Sequence, residues 1–517
     1  MRRIDSKRVR LAALATALAG ALVLSACAPL FGLLDGLRAQ RPAPPAELVG
    51  TDFGAQQPRW HDCSGGMQCA RVFAPLDWDD PEGERIELAL IKQPATGGTP
   101  LGTLFVNPGG PGASGVDYVS ESIDHAVGEP LQQAYDVIGW DPRGVGSSSA
   151  VACLDDAEMD EYLFGLGATD GLEPGSDAWI EAAVREGAEY GEACLDGTGP
   201  LLGHVDTAST VRDLDMLRAI VGDDKLNYLG YSYGTYIGAR YADAYPERVG
   251  RLVLDGAIDP TSTEAEVVRE QTRGFELALR AYMTDCLSRS DCPVSGDVDQ
   301  AMAKWRDMIA AVEAEPLEGV DGRIVGSGTL LTAIITPLYS QQSWPYLDQL
   351  YLSVTQGDPE VALFLADFYF DRVDGHYTSN LITAFAAINC LDYPQSLPLD
   401  ADRMRADAAE LARIAPTIGS FQGFGDVACA GWPVPGVKDR SPVTAKGADP
   451  ILVIGTTGDP ATPLRWAESL ASQLESGLLL TYEGEGHTAY GESACVNEIV
   501  EQFFLTGAVP ADAARCS

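Results

Sequence analysis

Hydrophobic and polar positions divide the chain into stretches of different rhythm. Short, nearly continuous apolar runs fall at 85–91, 101–106, 135–140, 226–229 and 251–254, and again at 451–454 and 478–482. Runs of this kind predict strands buried on both faces, as in a largely parallel sheet. Helix-length segments separate most of them. Val211, Leu214, Leu217 and Val221, for example, form one stripe at helical spacing. The alternation predicts an α/β fold with a mostly parallel sheet.

That rhythm stops after Asp255-Gly-Ala-Ile-Asp-Pro260 and resumes only near Pro450. The stretch between reads as helical. Thr261-x-x-Glu264, just behind Pro260, predicts a capping box at a helix start. Val268, Phe275, Leu279 and Tyr282 then recur at helical spacing, as do Val298, Met302, Trp305, Ile309 and Val312. Such stripes predict core packing. The expected organisation is an α/β core at 59–260, a large helical cap insertion at 261–445, and the rest of the core at 446–517.

The N-terminal stretch follows neither rhythm. Residues 1–10 carry five cations and one Asp, and residues 11–24 are apolar but too short for the ~20-residue membrane span. Residues 1–26 therefore read as a signal peptide. It runs into Leu24-Ser25-Ala26-Cys27, which resembles a bacterial lipobox with Cys27 as the lipidated residue. Ala26-Cys27-Ala28 also fits an ordinary A-x-A cleavage site, which would release the protein instead. Residues 27–58, rich in Pro, Ala and Gly, read as a tether.

Composition narrows the partners. The 517 residues carry 75 acidic and 35 basic side chains, a formal net charge of −40. A protein that tracks phosphates needs a basic surface, so a nucleic-acid partner is excluded. Contact with a membrane is expected only through the lipid on Cys27. Of the 11 cysteines, those other than Cys27 are Cys63, Cys69, Cys153, Cys194, Cys286, Cys292, Cys390, Cys429, Cys495 and Cys516. An even set in an exported chain predicts disulfides, and sequential pairing would give local bridges. No C-x-x-C occurs and no His stands at ligand spacing beside them, so no metal site is expected.

The sharpest chemical motif is Gly230-Tyr-Ser-Tyr-Gly234, a G-x-S-x-G directly behind the predicted strand 226–229 and ahead of a helix expected from Thr235 to Tyr245. This context makes Ser232 a candidate nucleophile on a sharp strand-to-helix turn. A serine hydroxyl needs an imidazole to take its proton. In this architecture the acid and the histidine follow the serine in the chain, which leaves His376 and His487 among five histidines. His376 falls inside the helical stretch, whereas His487, in Gly484-Glu-Gly-His487, follows the last predicted strand. Asp459, behind the strand 451–454, is the favoured acid, with Asp255 as the rival.

An oxyanion needs preorganised N–H donors. The backbone of Tyr233 and of Gly110, in the loop Asn107-Pro-Gly-Gly-Pro-Gly112, are the candidates. Gly110-Pro-Gly112-Ala-Ser-Gly115 also matches a dinucleotide fingerprint. Pro111 fits that reading poorly, and it would leave Ser232, Asp459 and His487 unexplained.

Leu226-Asn-Tyr-Leu-Gly-Tyr-Ser-Tyr-Gly-Thr-Tyr236, the Asn107 loop, Trp140-Asp-Pro-Arg-Gly-Val-Gly-Ser147 and Val253-Leu-Asp-Gly-Ala-Ile-Asp-Pro260 together resemble the secreted tripeptidyl aminopeptidases of actinobacteria. These are α/β-hydrolases of the proline iminopeptidase group, with mycobacterial envelope esterases and proteases among their relatives. The likeness runs from residue 59 to the C-terminus. It implies a Ser–Asp–His triad at Ser232, Asp459 and His487 and release of short N-terminal peptides without a cofactor. One departure is Pro108, where proline iminopeptidases carry His.

Recognition of a free α-ammonium calls for a carboxylate near the site, and Asp392 is a candidate. Arg143 reads as structural, and Tyr231 and Tyr233 as packing residues. The expected function is an exported serine exopeptidase. A carboxylesterase with the same triad is the alternative, and a non-catalytic peptide-binding surface lipoprotein fits the intact motif least. Substrate is thus a peptide or ester; nothing in the sequence sets the oligomeric state.

Overall fold

The computed structural model describes residues 48, 50–63, 65–395, 397–437, 439–510 and 513–517. The expected signal peptide, Cys27 and most of the tether lie outside them. No helix among the described residues is long and apolar enough to cross a membrane.

The strands in chain order are β1 (His61–Asp62), β2 (Gln68–Pro75), β3 (Arg85–Gln93), β4 (Thr103–Asn107), β5 (Asp136–Trp140), β6 (Leu226–Tyr231) and β7 (Val249–Asp255). Two short hairpins follow, β8 (Leu317–Glu318) with β9 (Ile324–Val325) and β10 (Arg372–Val373) with β11 (His376–Tyr377). Then come β12 (Ile451–Gly458), β13 (Gly477–Glu485) and β14 (Ala514–Cys516). One sheet runs β1-β2-β3-β5-β4-β6-β7-β12-β13-β14. From β5 to β14 every neighbouring pair is parallel, and β1, β2 and β3 close one edge antiparallel.

Alternate residues of each central strand feed different cores because side chains alternate across a sheet. On one face Phe105, Ile138, Tyr228 and Leu254 pack against the helices Thr207–Val221 and Tyr233–Ala244. On the other, Leu104, Val106, Leu229 and Ile454 meet the helices Gly115–Ala126 and Ala494–Thr506. This two-sided burial is why these strands read as continuous apolar runs. The strand β2 escaped the sequence reading: its inward positions are Ala70, Val72 and Ala74, and two alanines leave little apolar signal.

Between β7 and β12 the chain is largely helical. Phe275, Leu279, Trp305, Ile309, Ile334 and Leu350 form a separate apolar cluster, to which Phe164 from the preceding segment also contributes. The helix Leu381–Asp392 differs, because Ala384, Ala387, Ile388 and Leu391 pack into the core beneath the sheet. The capping box expected at Thr261 sits two residues further on. Thr263 caps the helix Glu264–Ser288 and pairs with Glu266, because Asp259 already accepts the Thr261 N–H at 2.9 Å and its hydroxyl at 2.8 Å.

Five disulfides join Cys63–Cys69, Cys153–Cys194, Cys286–Cys292, Cys390–Cys429 and Cys495–Cys516, the sequential pairing. Arg143 is fully buried and bidentate to Asp213, with both N···O distances 2.7 Å. It also donates to the carbonyls of Pro75, Leu76 and His204, so it staples the segment after β5 to β2 and to the helix Thr207–Val221.

Candidate active site

Ser232 stands between β6 and the helix Tyr233–Ala244 with φ 53° and ψ −123°. A non-glycine residue held at positive φ marks the strained turn that pushes a nucleophile out of the sheet edge. The turn is fixed from both sides. The Ser232 N–H donates to the Asp255 carbonyl at 2.9 Å, and the Ser232 carbonyl accepts the Thr235 N–H and hydroxyl at 2.9 and 2.6 Å. Gly234 is needed for close approach: a Cβ there would lie 2.8 Å from the Asn107 carbonyl.

The loop after β4 meets this turn. Asn107 Oδ1 accepts the Gly109 N–H at 3.0 Å. Gly109 has φ +97°, and a Cβ on it would come within 2.5 Å of the Tyr231 carbonyl and 3.0 Å of the Tyr233 amide nitrogen. Only glycine lets the loop lie this close to the start of the helix. Behind it, the helix Gly115–Ala126 has its N-terminus filled by Asp141, which accepts from Ser114 Oγ at 2.6 Å and the Val116 N–H at 3.0 Å. A dinucleotide phosphate would need that place. The protein's own carboxylate takes it.

His487 follows β13. Its Nδ1 lies 2.9 Å from both carboxylate oxygens of Asp459, which follows β12 and whose side chain is wholly buried. Asp459 also accepts from the amides of Ala461 and Thr462 at 2.9 and 2.8 Å and from Thr462 Oγ1 at 2.8 Å. Burial pulls the imidazole pKa down, but the charge and hydrogen bond of Asp459, with Asp255 behind, outweigh it and hold His487 above its ordinary 6.5.

Asp255, the rival acid, is fully buried and sits under the next turn. Its carboxylate accepts the amides of Ala489 (3.1 and 3.0 Å) and Tyr490 (2.7 Å), so it anchors the chain that carries His487. Burial raises its pKa to about 6 against the pull of those amides.

Ser232, Gly110 and His487 line one cavity of about 650 Å³. Ser232 and His487 face the same cavity, and catalytic hydrogen bonds of this kind often tighten only in the substrate complex. The remaining walls are mostly apolar and aromatic, including Phe275, Tyr339, Phe368, Phe370, Leu381 and Phe385, with the neutral polar side chains Gln271, Thr272, Thr336 and Gln422 among them. Of the described lining residues, His487 alone can carry a charge near neutrality. Asp392 is not among the residues lining this cavity but lines a smaller one beside it that shares Gly110, Gln271 and Phe385. It is 8% exposed and accepts from the Thr207 N–H at 3.1 Å and Oγ1 at 2.5 Å.

Two further residues touch the histidine. Thr462 Oγ1 lies 3.2 Å from His487 Nδ1. The Tyr339 carbonyl accepts the His487 N–H at 2.8 Å, and the Tyr339 ring stands edge-on to the imidazole with centroids 5.5 Å apart. Thr462 was within reach of the sequence, three residues past Asp459 in a turn. Tyr339 carried no signal, because it meets His487 only through the fold.

The parallel sheet with helices on both faces, carrying Ser232, Asp459 and His487 beyond strand C-terminal ends, defines an α/β-hydrolase. Residues 415–516 match a family described as TAP-like protein. The chain is 35% identical over 468 residues to Serine protease Hip1 of Mycobacterium tuberculosis, covering 87% of this chain and 88% of that one. It is 36% identical over 488 residues to Carboxylesterase B of the same organism, with 91% and 92% covered. To Tripeptidyl aminopeptidase of Streptomyces coelicolor it is 31% identical over 477 residues, with 89% and 85% covered. The chain belongs to this TAP-like family of α/β-hydrolases and is a serine hydrolase.

Proposed function

We propose that the protein is an exported serine exopeptidase that releases short peptides, tripeptides foremost, from free N-termini. The observation that carries the chemistry is the buried Asp459 bonded to His487 over the cavity that Ser232 enters. Ser232 Oγ attacks the scissile carbonyl while His487 takes its proton, and His487 then protonates the departing amine. Asp459 holds the imidazole in the required tautomer and stabilises its cation. The backbone N–H groups of Tyr233 and Gly110 receive the oxyanion. Water, activated by the same histidine, then hydrolyses the acyl-enzyme. Relatives named as a serine protease and a tripeptidyl aminopeptidase support the peptidase reading.

A second reading has its own observation. The walls of the cavity around Ser232 are mostly apolar and carry no carboxylate among the described lining residues, which suits an acyl ester, and one relative is named a carboxylesterase. Turnover of free-amine tripeptide amides, N-blocked peptides and short acyl esters separates the two. Preference for the free amine supports the exopeptidase. Fast ester hydrolysis without peptide cleavage replaces it by the esterase. We further propose that residues 1–26 direct export and that Cys27 carries a lipid; detergent-phase partition that persists in Cys27→Ala would reject the anchor.

A further inference from the structure

Asp392 closes the helix Leu381–Asp392, whose first turns supply Leu381, Ile382 and Phe385 to the cavity wall. Asp392 itself lines a smaller cavity that shares Gly110, Gln271 and Phe385 with the one over Ser232, and its carboxylate is bonded to the first turn of the helix Thr207–Val221. There it accepts both the amide and the hydroxyl of Thr207. Thr207 Oγ1 is in turn hydrogen-bonded to the phenolic OH of Tyr233, the residue directly after Ser232. All three members are buried: Asp392 is 8%, Thr207 2% and Tyr233 7% exposed.

An ionised carboxylate only accepts, so the single Thr207 hydroxyl proton points at Asp392. The Tyr233 OH must then donate to Thr207. Desolvation keeps the Tyr233 phenol protonated by raising its pKa well above 10, in line with that donor role. The result is a one-way chain, Tyr233 to Thr207 to Asp392. It crosses from the helix after the nucleophile, through the neighbouring helix, to the end of a helix that lines the substrate cavity.

Other groups facing Asp392 are Asp206 at the start of the Thr207 helix, Tyr236, Tyr393, and Arg440 from the segment before β12. Arg212, Arg240, Asp243 and Asp439 line a cavity with it. The Arg440 guanidinium stacks on Tyr236 and Tyr393 at 4.7 and 3.5 Å and donates to the Asp392 carbonyl at 3.3 Å.

We infer that Asp392 and Thr207 are positioning residues: through the side chain of Tyr233 they hold its backbone amide in register with Ser232 Oγ for the oxyanion. The inference rests on the proposed acyl-transfer reading. Tyr233 is clamped at both ends, by this chain at the phenol and by the tight Gly109 loop at the amide. A preorganised donor loses its effect when it shifts by a fraction of an ångström. A role in binding an α-ammonium would draw on the same carboxylate oxygens, and both already accept from Thr207.

The test compares Tyr233→Phe, Asp392→Asn, Thr207→Val and Thr207→Ser with wild type, with Ser232→Ala as the control, on one turned-over substrate. The first three are expected to lower kcat roughly ten- to hundredfold with KM within about twofold, because a misplaced donor is felt in the transition state. The double variant Tyr233→Phe/Asp392→Asn should be no worse than the poorer single variant. Thr207→Ser, which keeps the hydroxyl, should restore kcat. Burial lifts the Asp392 carboxyl to about 6, so the acid limb of the wild-type kcat profile should steepen below that pH, and Asp392→Asn should remove the steepening. Unchanged kcat in Tyr233→Phe and Asp392→Asn beside an inactive Ser232→Ala overturns the inference alone. So does a rise in KM confined to free-amine substrates in Asp392→Asn, which would return Asp392 to ammonium recognition. Full turnover by Ser232→Ala overturns the reading beneath it and the inference with it.

Discussion

The two sides of the cavity over Ser232 are built on opposite physical terms. On the sheet side the polar groups Ser232, Asp459, Asp255 and His487 are tied to backbone groups at 2.7–3.3 Å, and the two carboxylates are buried. On the helical side the wall is mostly apolar, with rings partly in solvent: Phe385 is 43% and Phe368 52% exposed. Buried polar groups tolerate little displacement, because each lost partner costs a full desolvation penalty. Apolar contacts are non-directional and exchangeable. Chemistry is therefore lodged where geometry is rigid, and substrate choice where side chains can change without disturbing it.

Substitutions that cross this divide should differ sharply in size. Ser232→Ala is expected to remove turnover by a factor on the order of 10⁴–10⁶ in kcat with unchanged thermal stability, read by kinetics and a melting curve. Asp459→Asn comes next, with a loss of about 10⁴ in kcat as the imidazole takes the wrong tautomer. It should also move the pH profile. Wild-type kcat/KM needs neutral His487 and falls as pH drops through a pKa held above 6.5. Without the Asp459 charge the imidazole pKa falls, so the acid limb of the residual activity shifts to lower pH.

Arg143→Met tests the sheet side away from catalysis. It strands the buried Asp213 carboxylate and should cost about 3–5 kcal/mol in denaturant unfolding. Replacing Asp213 by Leu in the same chain should recover much of that. Phe385→Ala, on the helical wall, should be mildest. A threefold to tenfold rise in KM for bulky apolar substrates is expected, about 1 kcal/mol, with kcat and melting temperature little changed. A Phe385→Ala loss in kcat as large as that of Asp459→Asn would dissolve the contrast.

Legibility in the sequence divides along similar physical lines. The strands 226–231 and 451–458 were readable because burial on both faces writes an uninterrupted apolar run. The Gly230–Gly234 motif was readable because the strand-to-helix turn dictates its residues locally. Asp392 was readable only as a carboxylate. Its pairing with Thr207, across a sequence separation of 185 residues, decides which way it faces. The anchoring role of Asp255 was hidden in the same way, since Ala489 and Tyr490 reach it from the far end of the chain.

The net charge of −40, the cysteine set, the rhythm of apolar runs and the order Ser232, Asp459, His487 were all present in the linear chain. Each reflects a local or compositional requirement: solubility, oxidation, burial of a strand, curvature of a turn. The 2.9 Å contact of His487 with Asp459, the Tyr339 carbonyl on His487, and the engagement of both Asp392 oxygens by Thr207 belong to the fold. They join groups that are distant in sequence, and such contacts are set by how helices and strands pack rather than by any pattern within one of them.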